Sequence, residues 1–416
     1  MPIAASVKEI MNNKGSSVIR KMFEEGIALK AKYGEDNVFD FSLGNPDMAP
    51  PKEVYQAVQE VSKDETPSRH GYMPNAGYME TREAMACKIN KEQNLQGDGK
   101  LTGKNIVMSV GAAGGLTSIC KAIISPGDEL IVPTPFFAEY RHYCGHFGGK
   151  LVSVKSKKDF SIDIEGIKKA LSEKTAAVLI NSPNNPSGKI YSEDEIRSLA
   201  NVLKEHGQKC GRKPYLILDE PYRAITYDGK QVAAAFPLYN ESMVVTSFAK
   251  NLSLPGERIG FVAVNPKAED ADELVAAIIF ATRTLGYVNA PAFFQKVVAK
   301  CWDAKVDYST YQKRCKMITN VVANAGIEFV QPEGAFYLFC KAPLPQKEEN
   351  KKYIVKGDDG DYCDEFAFCD HMKKFNILCA PGSGFGCPGY YRMAFCVSEK
   401  TISGCAESLK KAKETW

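Results

Sequence analysis

The sequence has no run of about 18 apolar residues, the length that a helix needs to cross a bilayer. We therefore expect no membrane as a partner. It also has no excess of one charge, since 53 lysines and arginines face 50 aspartates and glutamates and leave a net charge of +3. So small a value gives no case for nucleic acid as a partner, although a local positive site suffices for a small anion.

Cysteine is plentiful, but its usual patterns are missing. The 13 cysteines are odd in number and show no paired CxxC spacing, which predicts neither a disulfide framework nor a zinc site. Free thiols in a reducing compartment are the simpler interpretation. The start, MPIAASVKEIMNNKGSS, shows no charged leader followed by an apolar run. We therefore expect a cytoplasmic protein without a bound metal.

What the sequence does contain is a series of short apolar runs that alternate with amphipathic stretches. Between residues 105 and 264 these runs are NIVMSV, ELIVP, KLVSV, AAVLIN, YLILDE, MVVTSF and GFVAV. Strands that are buried on both faces and alternate with helices predict an α/β fold with a mainly parallel sheet flanked by helices.

A chain of 416 residues is too long for one small core, so we expect two domains. Residues 46–290 are assigned to the large α/β domain. Residues 1–45 together with 291–416 are assigned to a smaller α+β domain built from both chain ends. The runs AFYLFC and YYRMAFCV predict short strands in that smaller domain, and the charged segment 343–361 is predicted to be an exposed connection.

Ligands in such sheets bind beyond the carboxyl ends of the strands, and Lys250 in TSFAKNLSLPGERIG directly follows one run. A partly desolvated amine has a lowered pKa and becomes a nucleophile toward carbonyls. A surface lysine at a strand end is the competing interpretation. Ser247 lies three residues before it and Arg258 eight residues after it. A hydroxyl and a guanidinium together suit a phosphate dianion.

Asp219 ends the apolar run YLILDE. A carboxylate at that place is unfavourable unless it is paired, and the protonated nitrogen of a pyridine ring is one suitable partner. Tyr222 follows three residues later and could reach a phenolic oxygen of the same ring. For Asp219 alone, a helix N-cap is the competing interpretation.

Three turns beside predicted strand ends complete the pattern. NSPNNPSG breaks a strand with a tight turn, from which the Asn185 side chain could donate to the same phenolic oxygen. SVGAAGGL places small residues at a probable helix start, where backbone N–H groups bind anions. Phe137 in PTPFFAEY could stack on a flat ring, although aromatic residues mostly pack in cores. Each turn is weak evidence by itself.

Taken together, these motifs resemble the cofactor site of fold-type I pyridoxal-phosphate (PLP) enzymes, specifically the class I and II aminotransferases, in the order and spacing of Asn185, Asp219, Tyr222, Ser247, Lys250 and Arg258. The resemblance extends from about residue 41 to residue 396. Some positions depart from the common pattern: Ala249 replaces a frequent serine, and NPSG replaces the commoner NPTG. Neither departure removes a catalytic group.

The resemblance implies a role for each of these residues. Lys250 is expected to form a Schiff base with PLP and to act with Asp219, which pairs with the ring nitrogen, and with Tyr222. Asn185 and Tyr222 are expected to contact the ring oxygen, and Phe137 is expected to stack on the ring. The phosphate is expected to bind Ser247, Arg258 and the backbone of Ala112 and Ala113.

Further matches concern the substrate and the assembly. Arg392 in YYRMAFC matches the arginine that grips the substrate α-carboxylate, a task that suits the planar guanidinium fork. Gly44 in FSLGNPD matches a loop that closes over the substrate and touches the same carboxylate, and Asn185 is expected to bind the substrate as well as the cofactor. Tyr72 in RHGYMPNAGY resembles a tyrosine that reaches from a partner subunit to the phosphate, which implies a homodimer with shared active sites. PEGAFYLF resembles a structural signature of the smaller domain.

The implied activity is transfer of an amino group from an L-amino acid to a 2-oxo acid by a ping-pong mechanism. An aspartate or glutamate donor would need a second cation, for which Arg283 in ATRTLGYVNAP is the candidate. A surface ion pair is the competing interpretation of Arg283, and a phenylalanine at position 137 weakens the case for aspartate. A PLP-dependent carbon–sulfur lyase on the same fold is the alternative activity.

Overall fold

The computed structural model describes residues 3–4, 7–8, 11 and 18–416. The leaderless start expected from residues 1–17 therefore lies mostly outside the described residues. The strands of the described part are β1 (Phe39–Asp40), β2 (Ile106–Val110), β3 (Glu129–Pro133), β4 (Lys150–Val154), β5 (Thr175–Asn181), β6 (Tyr215–Asp219), β7 (Ser242–Ser247), β8 (Ile259–Val264), β9 (Tyr337–Lys341), β10 (Ile354–Val355), β11 (Tyr362–Cys363), β12 (Ile377–Leu378), β13 (Ala380–Pro381) and β14 (Tyr390–Ala394).

The described part of the chain also contains fourteen α-helices. Their bounds are Val18–Tyr33, Lys52–Ser62, Met79–Glu92, Gly111–Ile123, Tyr140–Gly145, Ile164–Ala170, Glu193–Cys210, Phe248–Asn251, Ala271–Thr284, Ala292–Cys301, Ser309–Asn324, Glu365–Lys373, Glu399–Gly404 and Ala406–Glu414.

A seven-stranded sheet with the order β2-β8-β7-β6-β5-β3-β4 forms the centre of the larger part. Strand β8 runs antiparallel to both of its neighbours, and the other neighbouring pairs are parallel. Each of the seven apolar runs between residues 105 and 264 forms one of these strands, so the predicted α/β class with a mainly parallel sheet is confirmed.

Both faces of this sheet are covered, which explains why the strands are apolar throughout. Every residue of β5, β7 and β8 is buried. Successive side chains point to opposite faces, and in β6 Leu216 and Leu218 lie in one apolar cluster while Ile217 lies in the other. Helices on both faces therefore bury the central strands, as parallel sheets require, whereas the edge strand β4 stays partly exposed.

A second, smaller sheet has the order β13-β14-β9. The predicted strands AFYLFC and YYRMAFCV form β9 and β14, which pair antiparallel. Their apolar side chains enter a separate core that also receives residues of the last two helices. The segment 343–361, which was expected to be an exposed connection, passes beside Trp416. The backbone N–H groups of Gln346 and Lys347 each donate to the Trp416 carbonyl at 2.9 Å.

The proposed boundary between domain 46–290 and domain 1–45 with 291–416 stays a prediction. The helix Ala292–Cys301, which that division gives to the smaller domain, buries Val297 and Val298 in the same cluster as Val54 and Met85.

Within the described residues, no helix is both long and apolar enough to cross a membrane.

Candidate active site

Parallel pairing brings the ends of three strands to one edge of the large sheet. Asn181, the last residue of β5, pairs with Asp219, the last residue of β6, and Asp219 pairs with Val245 of β7. Strand β7 ends two residues later at Ser247, and the short helix Phe248–Asn251 continues from the same edge and carries Lys250. Backbone register alone therefore places the predicted carboxylate and amine close together.

The Lys250 amine is held away from solvent. Its Nζ donates to the Gly44 carbonyl at 2.7 Å and lies 5.5 Å from the centre of the Phe336 ring. Burial lowers the pKa of Lys250 from 10.5 to about 8; the nearby Arg392 also lowers it, whereas Cys396 opposes the shift. With this pKa about a tenth of the amine is neutral at pH 7, which is the form that attacks a carbonyl.

Asp219 is the buried carboxylate of the site. Its Oδ2 accepts a hydrogen bond from the Tyr140 hydroxyl at 2.5 Å, and its backbone carbonyl accepts one from the Asn181 side chain at 2.8 Å. Burial raises the pKa of Asp219 from 3.8 to about 7, and the Tyr140 bond acts in the opposite direction. Its Oδ1 is buried and has no hydrogen-bond partner among the described residues.

An unpaired buried carboxylate oxygen is unfavourable unless a donor meets it. The protonated ring nitrogen of PLP is such a donor, and its positive charge would favour the ionised form of Asp219. The Oδ1 atom therefore fits the predicted cofactor.

Arg392 reaches the same space from β14. Its Nη1 donates to Asn185 Oδ1 at 3.0 Å, and its Nη2 donates to the Ser42 carbonyl at 2.6 Å. The backbone N–H of Asn185 donates to Asn181 Oδ1 at 2.6 Å, which fixes the turn. Arg392 is 3% exposed, and its Nε has no partner in the described part of the chain. A buried guanidinium without a carboxylate can bind an anion bidentately.

Tyr222 lies beside these groups and is buried. Its hydroxyl is 2.8 Å from the hydroxyl of Tyr337. Burial raises the pKa of Tyr222 well above 10, so its phenol keeps its proton and remains a hydrogen-bond donor.

A corner suited to phosphate lies at the start of the helix Gly111–Ile123. The N–H groups of Ala112 and Ala113 fall in its first turn, where backbone donors lack partners within the helix. Gly111 has φ +65°, and a Cβ at this position would lie 3.0 Å from Arg258 Nη2. Ser247 pairs with Gly260, which also approaches Gly111. The Arg258 guanidinium and the paired residues Ser247 and Gly260 therefore lie beside Gly111 at the helix start, where N–H groups without helical partners suit a phosphate.

The remaining predicted residues divide into two groups. The half-buried Phe137 ring lies edge-on to Tyr140, with 5.6 Å between ring centres, and so lies near Asp219. Tyr72 is 95% exposed, and Arg283 is exposed near the end of its helix. Within this single chain the structure records no hydrogen bond or ion pair from either side chain to the buried site residues.

Sequence reasoning missed four residues that hold the others in place: Tyr140, Asn181, Ser42 and Tyr337. Asn181 stands in NSPNNPSG as the last residue of β5, and Tyr140 stands in FAEY as the first residue of the helix Tyr140–Gly145, so both motifs offered a signal. Ser42 takes part through its backbone carbonyl, which carries no residue-specific signal. Tyr337 belongs to a motif that was assigned only a structural role.

The family model for aminotransferase class I and II matches residues 36–409. A probable aspartate/prephenate aminotransferase from Aquifex aeolicus is 30% identical over 396 residues, which cover 93% of this chain and 93% of that protein. An aspartate aminotransferase from Thermotoga maritima is 28% identical, with 94% and 96% covered. The crystal structure of an amino transferase from Eubacterium rectale has a TM-score of 0.90 and 35% identity, and the match covers 100% of this chain and 99% of that one.

Replacing Tyr140→Phe removes the hydrogen bond that stabilises the ionised form of Asp219. We expect the pKa of Asp219 to rise by about one unit or more, since bonds to charged groups are the stronger ones. A protonated Asp219 cannot pair with a protonated ring nitrogen, so cofactor affinity and kcat/KM should fall more at pH 6 than at pH 9. Both are measured at the two pH values.

The matched control is Tyr191→Phe, which alters an equally buried tyrosine in the core cluster on the other face of the large sheet, away from the Asp219 carboxylate. This variant should behave like the wild type. An equal loss at both pH values for Tyr140→Phe would contradict the assigned effect on Asp219.

Proposed function

The chain belongs to the class I and II aminotransferases, and on this basis we propose that its amino donor is aspartate or glutamate and that its active sites are shared within a homodimer. The protein is a PLP-dependent aminotransferase, which transfers an amino group from an L-amino acid to a 2-oxo acid by a ping-pong mechanism. The observation that carries the proposed site is the convergence of Lys250 and Asp219 at one edge of the large sheet with the buried Arg392 of β14. The lyase alternative is not favoured, because the relatives above are named aminotransferases.

We propose that the residues of the sheet edge hold PLP. Asp219 Oδ1 would bind the ring nitrogen, Tyr222 and Asn185 the ring oxygen, and Phe137 the ring face. When bound, PLP supplies a carbonyl that takes up the amine and a ring that accepts the electron pair left at the substrate Cα. The phosphate would bind the corner formed by Ser247, Arg258, Ala112 and Ala113.

Lys250 is proposed to move the substrate proton. Its amine is the basic group at the carboxyl edge whose pKa, about 8, lies near the operating pH, as an efficient general acid and base requires. The Gly44 carbonyl accepts from Lys250 Nζ and would lose this bond if the amine bound the cofactor. Gly44 would then be free to close over the substrate.

Arg392 is proposed to bind the substrate α-carboxylate. Asn185 and the Ser42 carbonyl hold the guanidinium in one orientation, and the Tyr337 and Phe385 rings cover it at 4.6 and 4.9 Å. A fixed fork loses little freedom when a carboxylate binds.

The donor class is supported by the printed names of the relatives and by one residue. Several relatives are called aspartate aminotransferases. Arg283 is the candidate for the distal carboxylate, but it is exposed in the single chain. An exposed arginine can serve this purpose if a second subunit brings it to a neighbouring site, so the donor proposal and the dimer proposal depend on each other.

A homodimer with shared sites is supported by Tyr72. A tyrosine that is 95% exposed is unusual unless another surface covers it, since aromatic rings carry a large apolar area. A partner subunit's phosphate corner is the surface that we propose.

A cytoplasmic location belongs to the same proposal. All 13 cysteines are free thiols, as is usual in reducing compartments.

The donor proposal is tested by mixing the purified holoenzyme with one amino acid at a time and following the cofactor spectrum during a single turnover. Aspartate or glutamate should convert the cofactor to pyridoxamine phosphate fastest. Arg283→Ala should slow these donors about 10- to 100-fold, the value of one charge-assisted pair, and leave alanine unaffected as the internal control. Faster conversion by apolar donors would reject the donor class, and ammonia formation without an acceptor would indicate a lyase.

Arg392→Lys replaces the planar fork with a point charge. We expect KM to rise about 10- to 100-fold for every amino acid alike, measured by steady-state kinetics. Arg197→Lys is the matched control, because Arg197 forms an exposed ion pair with Glu193 on a helix surface and should leave KM unchanged. An unchanged KM in Arg392→Lys would place the carboxylate elsewhere.

Shared sites are tested by mixing two variants. Lys250→Ala and Tyr72→Ala homodimers should each be impaired, the second in cofactor affinity. If Tyr72 acts across the interface, a hybrid dimer contains one site with both native residues, so mixing should restore activity and tight cofactor binding. If mixing restores neither while subunit exchange is shown by labelled chains, Tyr72 does not act across the interface.

A further inference from the structure

Tyr337 lies in PEGAFYLF, the motif to which the sequence assigned only a structural role. It is the first residue of β9 and pairs with Ala394 of β14. Its side chain is 2% exposed. This side chain belongs to the core of the smaller sheet and contacts three residues of the proposed site.

The contacts of Tyr337 involve residues with different proposed tasks. Its hydroxyl is 2.8 Å from the hydroxyl of Tyr222, which is assigned to the cofactor ring oxygen. Its ring face lies 4.6 Å from the guanidinium carbon of Arg392, which is assigned to the substrate carboxylate. A Cβ on Gly44 would overlap the Tyr337 hydroxyl, so this phenol also leaves room only for glycine in the substrate loop.

The two phenols share one hydrogen bond, so only one of them donates in it. Burial raises the pKa of Tyr337 to about 12 and the pKa of Tyr222 well above 10, so both keep their protons at neutral pH. If Tyr222 donates to Tyr337, it has no proton left for the cofactor oxygen. If Tyr337 donates to Tyr222, the Tyr222 proton is free for that oxygen, and each bond strengthens the other.

We propose that Tyr337 is a positioning residue whose hydroxyl directs the Tyr222 proton to the cofactor ring oxygen and whose ring holds the Arg392 guanidinium. This inference rests on the functions proposed above for Tyr222 and Arg392. The two parts of one side chain therefore serve two ligands: the hydroxyl serves the cofactor and the ring face serves the substrate. Different substitutions separate them.

Tyr337→Phe removes the hydroxyl and keeps the ring. A hydrogen bond donated to the cofactor ring oxygen stabilises negative charge on that oxygen. If this bond is weakened, the Lys250 nitrogen that is joined to the cofactor should keep its proton to a higher pH. The midpoint of the pH-dependent visible absorbance of the holoenzyme should rise by roughly half to one pH unit, the size of one neutral hydrogen bond. KM for the donor should stay within about twofold, because the ring still covers Arg392.

Tyr222→Phe should raise the same midpoint by at least as much. The double variant Tyr222→Phe with Tyr337→Phe should add nothing further, because the Tyr337 hydroxyl acts through Tyr222. Additive shifts would show that Tyr337 does not act through Tyr222, and no shift in Tyr337→Phe beside a clear shift in Tyr222→Phe would overturn the inference about the hydroxyl.

Tyr337→Leu removes the ring face as well. KM should rise about 3- to 30-fold for every donor, the range expected for losing a buried cation–π contact, with a midpoint shift like that of Tyr337→Phe. An unchanged KM in a correctly folded Tyr337→Leu protein would overturn the role of the ring. If that variant does not fold, Tyr337→Phe and the double variant still decide the role of the hydroxyl.

Tyr391→Phe is the matched control. Tyr391 is a fully buried tyrosine next to Arg392 on β14, and neighbouring residues of a strand point to opposite faces, so both the midpoint and KM should equal the wild-type values. Failure of the proposed roles is distinguishable, because Tyr222→Phe would then leave the midpoint, and Arg392→Lys the KM, at the wild-type value. Failure of the inference leaves the wild type active and the Tyr337 variants indistinguishable from Tyr391→Phe.

Discussion

The exclusion of water from ionisable side chains is the constraint on which the site depends. Burial moves the pKa of Asp219 up to about 7 and the pKa of Lys250 down to about 8, so both groups are driven toward their neutral forms. The Arg392 guanidinium is covered by two aromatic rings. Groups in this state gain most from a ligand that brings opposite charge or a hydrogen-bond partner. A cationic ring nitrogen of the cofactor would pair with Asp219, and the cofactor carbonyl would react with Lys250. A substrate carboxylate would pair with Arg392.

The fold satisfies this constraint by building the site from two cores. The large sheet delivers Asp219 and Lys250 at the carboxyl ends of neighbouring strands. The reversed strand β8 begins just after Arg258 and pairs with β2, which leads into the helix at Gly111. The smaller sheet supplies Arg392 and Tyr337 from β14 and β9. Asp219 and Lys250 lie at or just after strand ends of the large sheet, whereas Arg392 extends from the middle of β14.

Tyr140 and Tyr337 show why the site is more than the sum of its motifs. Tyr140 bonds to a residue 79 positions away, and Tyr337 bonds to one 115 positions away. In each case a buried phenol determines which atom of a functional residue stays available to a ligand: Oδ1 of Asp219 in the first case and the hydroxyl proton of Tyr222 in the second. Arg283, in contrast, was suggested by the local sequence alone, and in the single chain it lies on an exposed helix surface.

Much of this protein could be predicted from the sequence, because its signals are local. Strands buried on both faces must be apolar over their whole length, so seven runs marked the strands of the large sheet, and the polar residues after them marked its functional edge. Tertiary structure alone decided the register that aligns Asn181 with Asp219, the partners that hold Asp219 and Arg392, and the separation of Tyr72 and Arg283 from the buried site. These outcomes depend on contacts between distant segments and on desolvation by the assembled cores, which no short stretch of sequence encodes.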